Sequence, residues 1–264
     1  MRYTKNEEIE RGAYGTVYSA FVNDETTNQR LEYQVAVKAF DYDDCFEEEL
    51  VAARCTHGHR FFAQFIEAIE FQTLYCSPTR NKSIVYELAE CDLHEFARKK
   101  ENRNQPPRGI VEFMVGAIEY LRSNNLAHRD IKDCNILVFR KEDGGVEYKL
   151  GDIGSLVRLG ESPEFSSLPL IDFPMVRCTY RSMPKFMKKR LKKIDRLLYH
   201  EKDNLIQEVR WLDIYCAMNV IHTIQKKFVQ PDDPVMDACA RGLAAETYAE
   251  CEAAWKALVD AVVL

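Results

Sequence analysis

The segment "LAHRDIKDCNILV", from Leu126 to Val138, constrains the possible folds of this chain more than any other part of the sequence. Its two ends are apolar and its centre is strongly polar. The polar positions are His128, Arg129, Asp130, Lys132, Asp133 and Asn135. A simple turn needs few polar residues, so this crowding favours a loop with a chemical role, anchored by buried flanks. The alternative interpretation is an ordinary polar loop.

The composition is that of a globular chain with a sizeable core. The sequence has 264 residues, a net charge of −6 and 46% hydrophobic residues, enough for one large or two-lobed domain. No apolar run approaches the roughly 18–20 residues that a membrane span requires. The nine cysteines include no C-x-x-C pair, which indicates reduced thiols and predicts a cytoplasmic or nuclear protein without a membrane partner.

Residue patterning divides the chain into two regions. Strand-like runs dominate the first 90 residues and helical periodicity dominates the rest. The predicted strands are Gly15–Phe21, Tyr33–Phe40, Ile66–Leu74 and Ser83–Leu88, and the predicted helices are Cys45–Arg54, Ile110–Arg122, Trp211–Ile224 and Ala244–Val263. We therefore expect an α+β fold of one domain, with a β-rich lobe over residues 1–88 and a mainly helical lobe over residues 89–264.

Three short motifs precede the polar loop. In "ERGAYGTVYSA", Gly12 and Gly15 are spaced closely enough for backbone N–H groups to approach phosphate oxygens, although a plain hairpin turn explains them at least as well. Lys38 lies in the apolar strand "VAVK", where a solvated edge charge is the ordinary interpretation. The acidic residues of "CFEEEL" would ordinarily be complementary to a helix dipole.

The order of these motifs is more informative than any one of them. A Gly-rich turn, V-A-V-K, a helical glutamate, H-R-D-x-K-x-x-N and "LGDIG" form the ordered signature of protein kinases. From about Ile9 to at least Val220, the chain resembles the eukaryotic protein kinase family. "GAYGTVY" and "YRS" are weakly similar to the branch of cyclin-dependent and related kinases. The resemblance implies the two-lobed kinase fold, ATP and Mg²⁺ as cofactors, and a protein substrate.

The resemblance also implies roles in the polar loop. Asp130 would accept the proton of the substrate hydroxyl, and Lys132 would contact the γ-phosphate. Asn135 and Asp152 would hold Mg²⁺. Because Lys132 follows Asp130 at the position typical of Ser/Thr kinases, the expected acceptor is a serine or threonine.

Three further residues would support that loop. His128 would pack beneath the magnesium-binding segment, and Arg129 would receive a phosphorylated activation segment. Asp213, in "WLDIYCAMNVI", resembles the buried helical aspartate that hydrogen-bonds the backbone of the catalytic loop.

For ATP, the resemblance implies a set of binding residues in both lobes. They are Gly12, Ala13, Tyr14, Gly15, Val17, Ala36, Lys38, Glu49, Tyr86, Glu87, Ala89, Asp92 and Leu137. Lys38 would bind the α- and β-phosphates and pair with Glu49. Glu48 stays open as an alternative partner because the following His-containing turn is one residue off the usual spacing.

The remaining members of this set would enclose the nucleoside. Val17, Ala36 and Leu137 would contact the adenine ring on its two faces. Tyr86 would be the gatekeeper at the back of the pocket. The backbones of Glu87 and Ala89 would pair with adenine, and Asp92 would reach the ribose.

Several positions depart from the family pattern. Glu10 replaces the first glycine of the phosphate loop, which predicts weakened nucleotide binding, and Ile153 replaces the Phe of D-F-G. Met183–Pro184–Lys185 stands where A-P-E is usual. The groups that the resemblance assigns to catalysis are nevertheless all present, which favours an active Ser/Thr kinase. The alternative is a pseudokinase that keeps the fold and acts as a binding or scaffolding module.

A basic stretch follows these departures, "KFMKKRLKKIDR" over residues 185–196. It is either the solvated face of an amphipathic helix or a platform for an acidic or phosphorylated substrate or partner, or for nucleic acid. A nuclear localisation signal is a further interpretation of the same stretch.

Overall fold

A computed structural model describes residues 2–24, 26–27, 29–72, 80–99, 102, 109–171, 202–226 and 233–263. The chain forms two compact units, Met1–Glu90 and Cys91–Leu264. The sequence-based expectation that they act as a single kinase domain stays a prediction.

Over its described residues, the first unit is a five-stranded antiparallel sheet with one helix. Its strand order is β1-β2-β3-β5-β4. The elements are β1 Tyr3–Arg11, β2 Gly15–Asn23, β3 Arg30–Phe40, α1 Asp43–Thr56, β4 Phe65–Gln72 and β5 Arg80–Glu87. The four predicted strands and the predicted helix are present with shifted ends. β1 was not predicted, because "YTKNEEIER" is charged and largely exposed at the sheet edge.

The core of the first unit follows from the two-residue period of its strands. Tyr18, Ala20 and Val22 alternate along β2 and are buried, as are Val35 and Val37 on β3. The intervening residues of β3 therefore point to the opposite face of the sheet. That face carries Lys38, which reaches a carboxylate of α1.

In the residues that the structure describes, the second unit is mainly helical and contains two small sheets. One sheet has the order β6-β8-β9, and the other pairs β7 with β10. The strands are β6 Cys91–Asp92, β7 Leu126–Ala127, β8 Ile136–Arg140, β9 Val146–Leu150 and β10 Val157–Arg158. The helices are α2 Leu93–Arg98, α3 Ile110–Ser123, α4 Lys202–Gln225, α5 Pro234–Ala244 and α6 Tyr248–Val263. The polar loop lies between β7 and β8.

The predicted α+β class is confirmed, and two predicted helix starts are wrong. The helix expected to begin at Trp211 is α4, which begins nine residues earlier, at Lys202. A helix was expected to begin at Ala244, but α5 ends there and α6 begins at Tyr248. The break forms because the Thr247 hydroxyl accepts the N–H of Glu250 at 3.3 Å, while the Glu250 carboxylate accepts the N–H of Glu246 at 2.8 Å. This reciprocal pair is close to a capping box and starts a new helix.

Some predictions concern residues outside the described ranges. They are Leu74 at the end of a predicted strand, Met183–Pro184–Lys185 and the basic stretch 185–196. Within the residues that the structure describes, no helix is both long and apolar enough to cross a membrane.

Candidate active site

The backbone of the polar loop is anchored by a carboxylate from a distant helix. Asp213 on α4 is buried, and its two oxygens accept the N–H groups of His128 at 2.7 Å and Arg129 at 2.8 Å. Burial raises the pKa of Asp213 to about 7, although both hydrogen bonds and the charge of Arg129 act in the opposite direction. Arg129 adopts a left-handed φ of 70°, so these bonds hold a backbone turn that arginine rarely adopts.

The His128 side chain is fully buried, and both of its ring nitrogens have partners. Nε2 donates to the carbonyl of Gly151 at 3.1 Å, and Nδ1 accepts the N–H of Asp130 at 3.4 Å. Burial lowers the pKa of His128 below its ordinary value. The neutral ring therefore acts as a spacer between the loop and Gly151, the residue that follows β9.

Ser155 is a supporting residue that the sequence did not reveal. Its hydroxyl donates to the carbonyl of His128 at 2.6 Å, and its own carbonyl accepts Nε of Arg129 at 2.6 Å. A single serine after a glycine gives no recognisable signal, because its role depends on how the chain returns to the loop.

The residues predicted for catalysis are brought together in the second unit. Oδ2 of Asp130 accepts two hydrogen bonds, one from Nζ of Lys132 at 2.8 Å and one from Nδ2 of Asn135 at 3.0 Å. Burial alone would lower the pKa of Lys132, but the hydrogen bond and charge of Asp130, with the charge of Asp152, raise it above the ordinary value. The cluster thus joins an oriented carboxylate to a firmly charged ammonium.

The hairpin of β8 and β9 places the two predicted metal ligands at one end. Ile136 pairs with Leu150, and the N–H of Gly151 donates to the carbonyl of Asn135 at 2.8 Å. Asp152 follows directly, exposed and with a left-handed φ of 52°. Because the NH₂ group of Asn135 donates to Asp130, the amide oxygen of Asn135 faces away from that carboxylate. An amide and a carboxylate oxygen fit the ligand preference of Mg²⁺.

In the first unit, the structure brings three predicted residues together. Nζ of Lys38 lies 2.5 Å from Oε2 of Glu49, and both side chains are largely buried. The hydroxyl of Tyr86 donates to Oε1 of Glu49 at 3.0 Å. Glu48, the alternative partner, is exposed.

The predicted phosphate loop is the turn that joins β1 to β2. The N–H of Gly12 donates to the carbonyl of Gly15 at 2.9 Å, and Tyr14 is 48% exposed between them. Gly12 and Ala13 are exposed and Gly15 is buried against β3. Glu10 lies in β1 opposite Val17, with its side chain exposed.

The other predicted ATP contacts lie at the surface of their units. Val17 and Ala36 in the first unit and Leu137 in the second are half-buried. The N–H of Glu87 donates to the carbonyl of Gln64 at 3.0 Å, and Ala89 follows the end of β5. Asp92 accepts the N–H of Glu95 at 2.7 Å and so caps α2.

Comparison with known families gives the class of protein to which these features correspond. The family described as "Protein kinase domain" matches residues 3–182, more than half of the chain. The chain therefore belongs to the protein kinase family, and the predicted family and fold are confirmed.

Curated relatives are similar at low identity. Sporulation protein kinase mde3 of Schizosaccharomyces pombe is 28% identical over 185 residues, covering 67% of this chain and 32% of the relative. Mitogen-activated protein kinase 15 of Caenorhabditis elegans is 26% identical over 189 residues, covering 69% and 38%. Serine/threonine-protein kinase fused of Drosophila melanogaster is 28% identical over 162 residues, covering 58% and 18%. The chain thus spans less than two-fifths of the length of these relatives.

Proposed function

We propose that this chain is a protein serine/threonine kinase that transfers the γ-phosphate of Mg-ATP to a protein hydroxyl. The observation that carries the proposal is the cluster of Asp130, Lys132 and Asn135, in which a carboxylate, an ammonium and an amide meet within 3.0 Å. Phosphoryl transfer needs positioning and charge neutralisation rather than covalent help. The cluster offers both.

Asp130 is the proposed catalytic base. Its hydrogen bonds to Lys132 and Asn135 orient the carboxylate to accept the proton of an incoming hydroxyl. Lys132 is charged at neutral pH, since its pKa is raised. It would offset the negative charge on the transferred phosphoryl group.

The nucleotide is proposed to use groups of each unit. Lys38, paired with Glu49, would bind the α- and β-phosphates, and the turn from Gly12 to Gly15 would cover them. Mg²⁺ held by Asn135 and Asp152 would supply further neutralisation of phosphate charge.

The substrate class rests on Lys132 and on the names of the relatives, which include serine/threonine and mitogen-activated kinases. We propose a protein substrate with a serine or threonine acceptor. An acidic or phosphorylated partner for the basic stretch 185–196 and a cytoplasmic or nuclear location stay predictions.

The test is phosphate transfer from labelled ATP and Mg²⁺ to a peptide library. Asp130→Asn should lower transfer at least about 100-fold and leave ATP binding nearly intact. Asp133→Asn is the matched control in the same loop and should retain transfer within about twofold of wild type. An Asp130→Asn variant that keeps more than about a tenth of the activity would remove Asp130 from the role of base. A wild-type chain that binds ATP without transferring phosphate would favour the pseudokinase alternative.

A further inference from the structure

The hydroxyl of Tyr86 has a specific partner that the proposed reaction does not explain. The family resemblance implies only that the side chain limits the back of the nucleotide pocket. In the structure, Tyr86 is 9% exposed and its hydroxyl donates to Oε1 of Glu49 at 3.0 Å. The other oxygen of the same carboxylate accepts Nζ of Lys38 at 2.5 Å.

We propose that Tyr86 is a positioning residue for the nucleotide phosphates. It holds the carboxylate of Glu49 in one orientation, and through that carboxylate it holds the ammonium of Lys38. The phosphate-binding role of Lys38 rests on the proposed function, but the hydrogen bonds that join Tyr86, Glu49 and Lys38 do not.

The register of the sheet explains why two donors reach one carboxylate. Ala36 pairs with Tyr86 and Lys38 pairs with Ile84 across β3 and β5. Residues two apart on a strand share a face, so Lys38 and Tyr86 are diagonal neighbours on the same face of the sheet. Both therefore point toward α1, where Glu49 is 3% exposed.

The hydrogen bond from Tyr86 restricts a rotation of the Glu49 carboxylate that the ion pair with Lys38 alone would allow. A carboxylate bonded only to lysine can turn about its last bond, and a lysine side chain is long and flexible. Tyr86, by contrast, stands on β5, which is paired on one side through Ala36 and on the other through Phe65. A phenol on this inner strand fixes one oxygen, so the other is aimed at Lys38.

A phenol also suits the charge of the site better than a second cation would. Glu49 and Lys38 carry opposite unit charges and are both largely buried. The neutral hydroxyl gives the anion another charge-assisted hydrogen bond without competing for its charge. Lys38 thus remains the only cation among these three side chains.

The test compares Tyr86→Phe with Tyr3→Phe. Both changes remove a buried phenol that donates to a glutamate on or beside the same sheet, Glu49 for Tyr86 and Glu67 for Tyr3. Both keep the ring, so the packing of the unit is preserved. The first measurement is the rate at which an amine-reactive ester modifies Lys38 in the nucleotide-free protein, read by mass spectrometry. The second is the affinity for Mg-ATP against the affinity for adenosine, together with the rate of phosphate transfer.

With Tyr86→Phe, Lys38 should be modified about 3- to 10-fold faster, and Mg-ATP affinity or transfer should fall by a similar factor. Adenosine affinity should be unchanged, since adenosine has no phosphates. Tyr3→Phe should change none of these values. Equal modification rates for Lys38 in wild type and Tyr86→Phe would overturn the inference, as would equal losses of Mg-ATP and adenosine affinity. If wild type transfers no phosphate, the proposed function fails, and the modification rate still decides the role of Tyr86.

Discussion

Alanine at Gly15 should destabilise the first unit far more than alanine at Gly12, although both residues were predicted to serve the same phosphate loop. A Cβ added at Gly15 would lie 2.1 Å from the carbonyl oxygen of Ala39 and 3.1 Å from Cα of Phe40. These atoms belong to the backbone of β3, so no side-chain rotation relieves the overlap. At Gly12 the nearest atom to such a Cβ is the carbonyl oxygen of Gly15, at 3.8 Å.

The magnitude follows from the strand pairing. A carbon–oxygen contact needs about 3.3 Å, so β2 and β3 must separate by about 1 Å where Gly15 pairs with Phe40 and Thr16 pairs with Ala39. The loss of about two hydrogen bonds at about 1 kcal/mol each, with some backbone strain, gives about 2–3 kcal/mol for Gly15→Ala. Gly12→Ala should change the free energy of unfolding by less than about 0.5 kcal/mol.

The assay must report on the correct unit. Both tryptophans of the chain, Trp211 and Trp255, lie in the second unit, so tryptophan fluorescence would follow the wrong transition. Amide hydrogen exchange of β2 and β3 in increasing urea, read by mass spectrometry, measures the first unit directly. Equal losses of stability in the two variants, or a Gly15→Ala variant within about 0.5 kcal/mol of wild type, would refute the steric reasoning.

Three further outcomes follow from the contacts. Glu49→Gln should lower phosphate transfer at least about tenfold, because it weakens the buried charge-assisted hydrogen bond to Lys38. Glu48 is exposed, so Glu48→Gln should stay within about twofold of wild type, and the reverse order of the two variants would show that Glu48 pairs with Lys38. Asp213 has a folded pKa of about 7 against an ordinary 3.8, so the folded state binds the extra proton and the stability that this group contributes is lost as pH rises. In urea titrations, the unfolding free energy of wild type minus that of Asp213→Asn should fall by about 2–3 kcal/mol between pH 5 and 7.5, and a constant difference would contradict this. Trp255→Phe removes an indole N–H that donates to Glu119 at 2.6 Å, so the free energy of unfolding should fall by about 1.5–3 kcal/mol. Urea titrations followed by the fluorescence of the remaining tryptophan measure this loss, and an unchanged midpoint would show that the hydrogen bond contributes nothing to stability.

Local patterns in the sequence predicted most of the secondary structure, and the failures have local causes. The strand β2 is buried at most of its positions and β3 at Val35, Val37 and Ala39, and both were found as strand-like runs of apolar residues. β1 was missed because most of its side chains are charged and exposed. The false start at Ala244 came from helix-forming residues on both sides of a break, although "TYAE" held a capping signal that could have placed it.

The candidate site was predictable where its residues are neighbours in the sequence. Asp130, Lys132 and Asn135 lie within six positions, and the structure joins them. The choice between Glu48 and Glu49 could not be made, since adjacent helical residues point about 100° apart and the helix phase was uncertain by one residue. The Tyr86 hydrogen bond was not foreseen either, because it depends on how α1 packs on the sheet.

The bonds from Asp213 have a consequence for the order of folding. The carboxylate lies 84 and 85 residues beyond the two amides that it binds, so the turn at Arg129 has no such partner until α4 has docked. Contacts of such long sequence separation form late because the intervening loop must first be closed. The amide hydrogens of His128 and Arg129 should therefore gain protection in the same kinetic phase as α4. The rate of hydrogen exchange at these two amides in the native protein would then report how often α4 undocks from the polar loop.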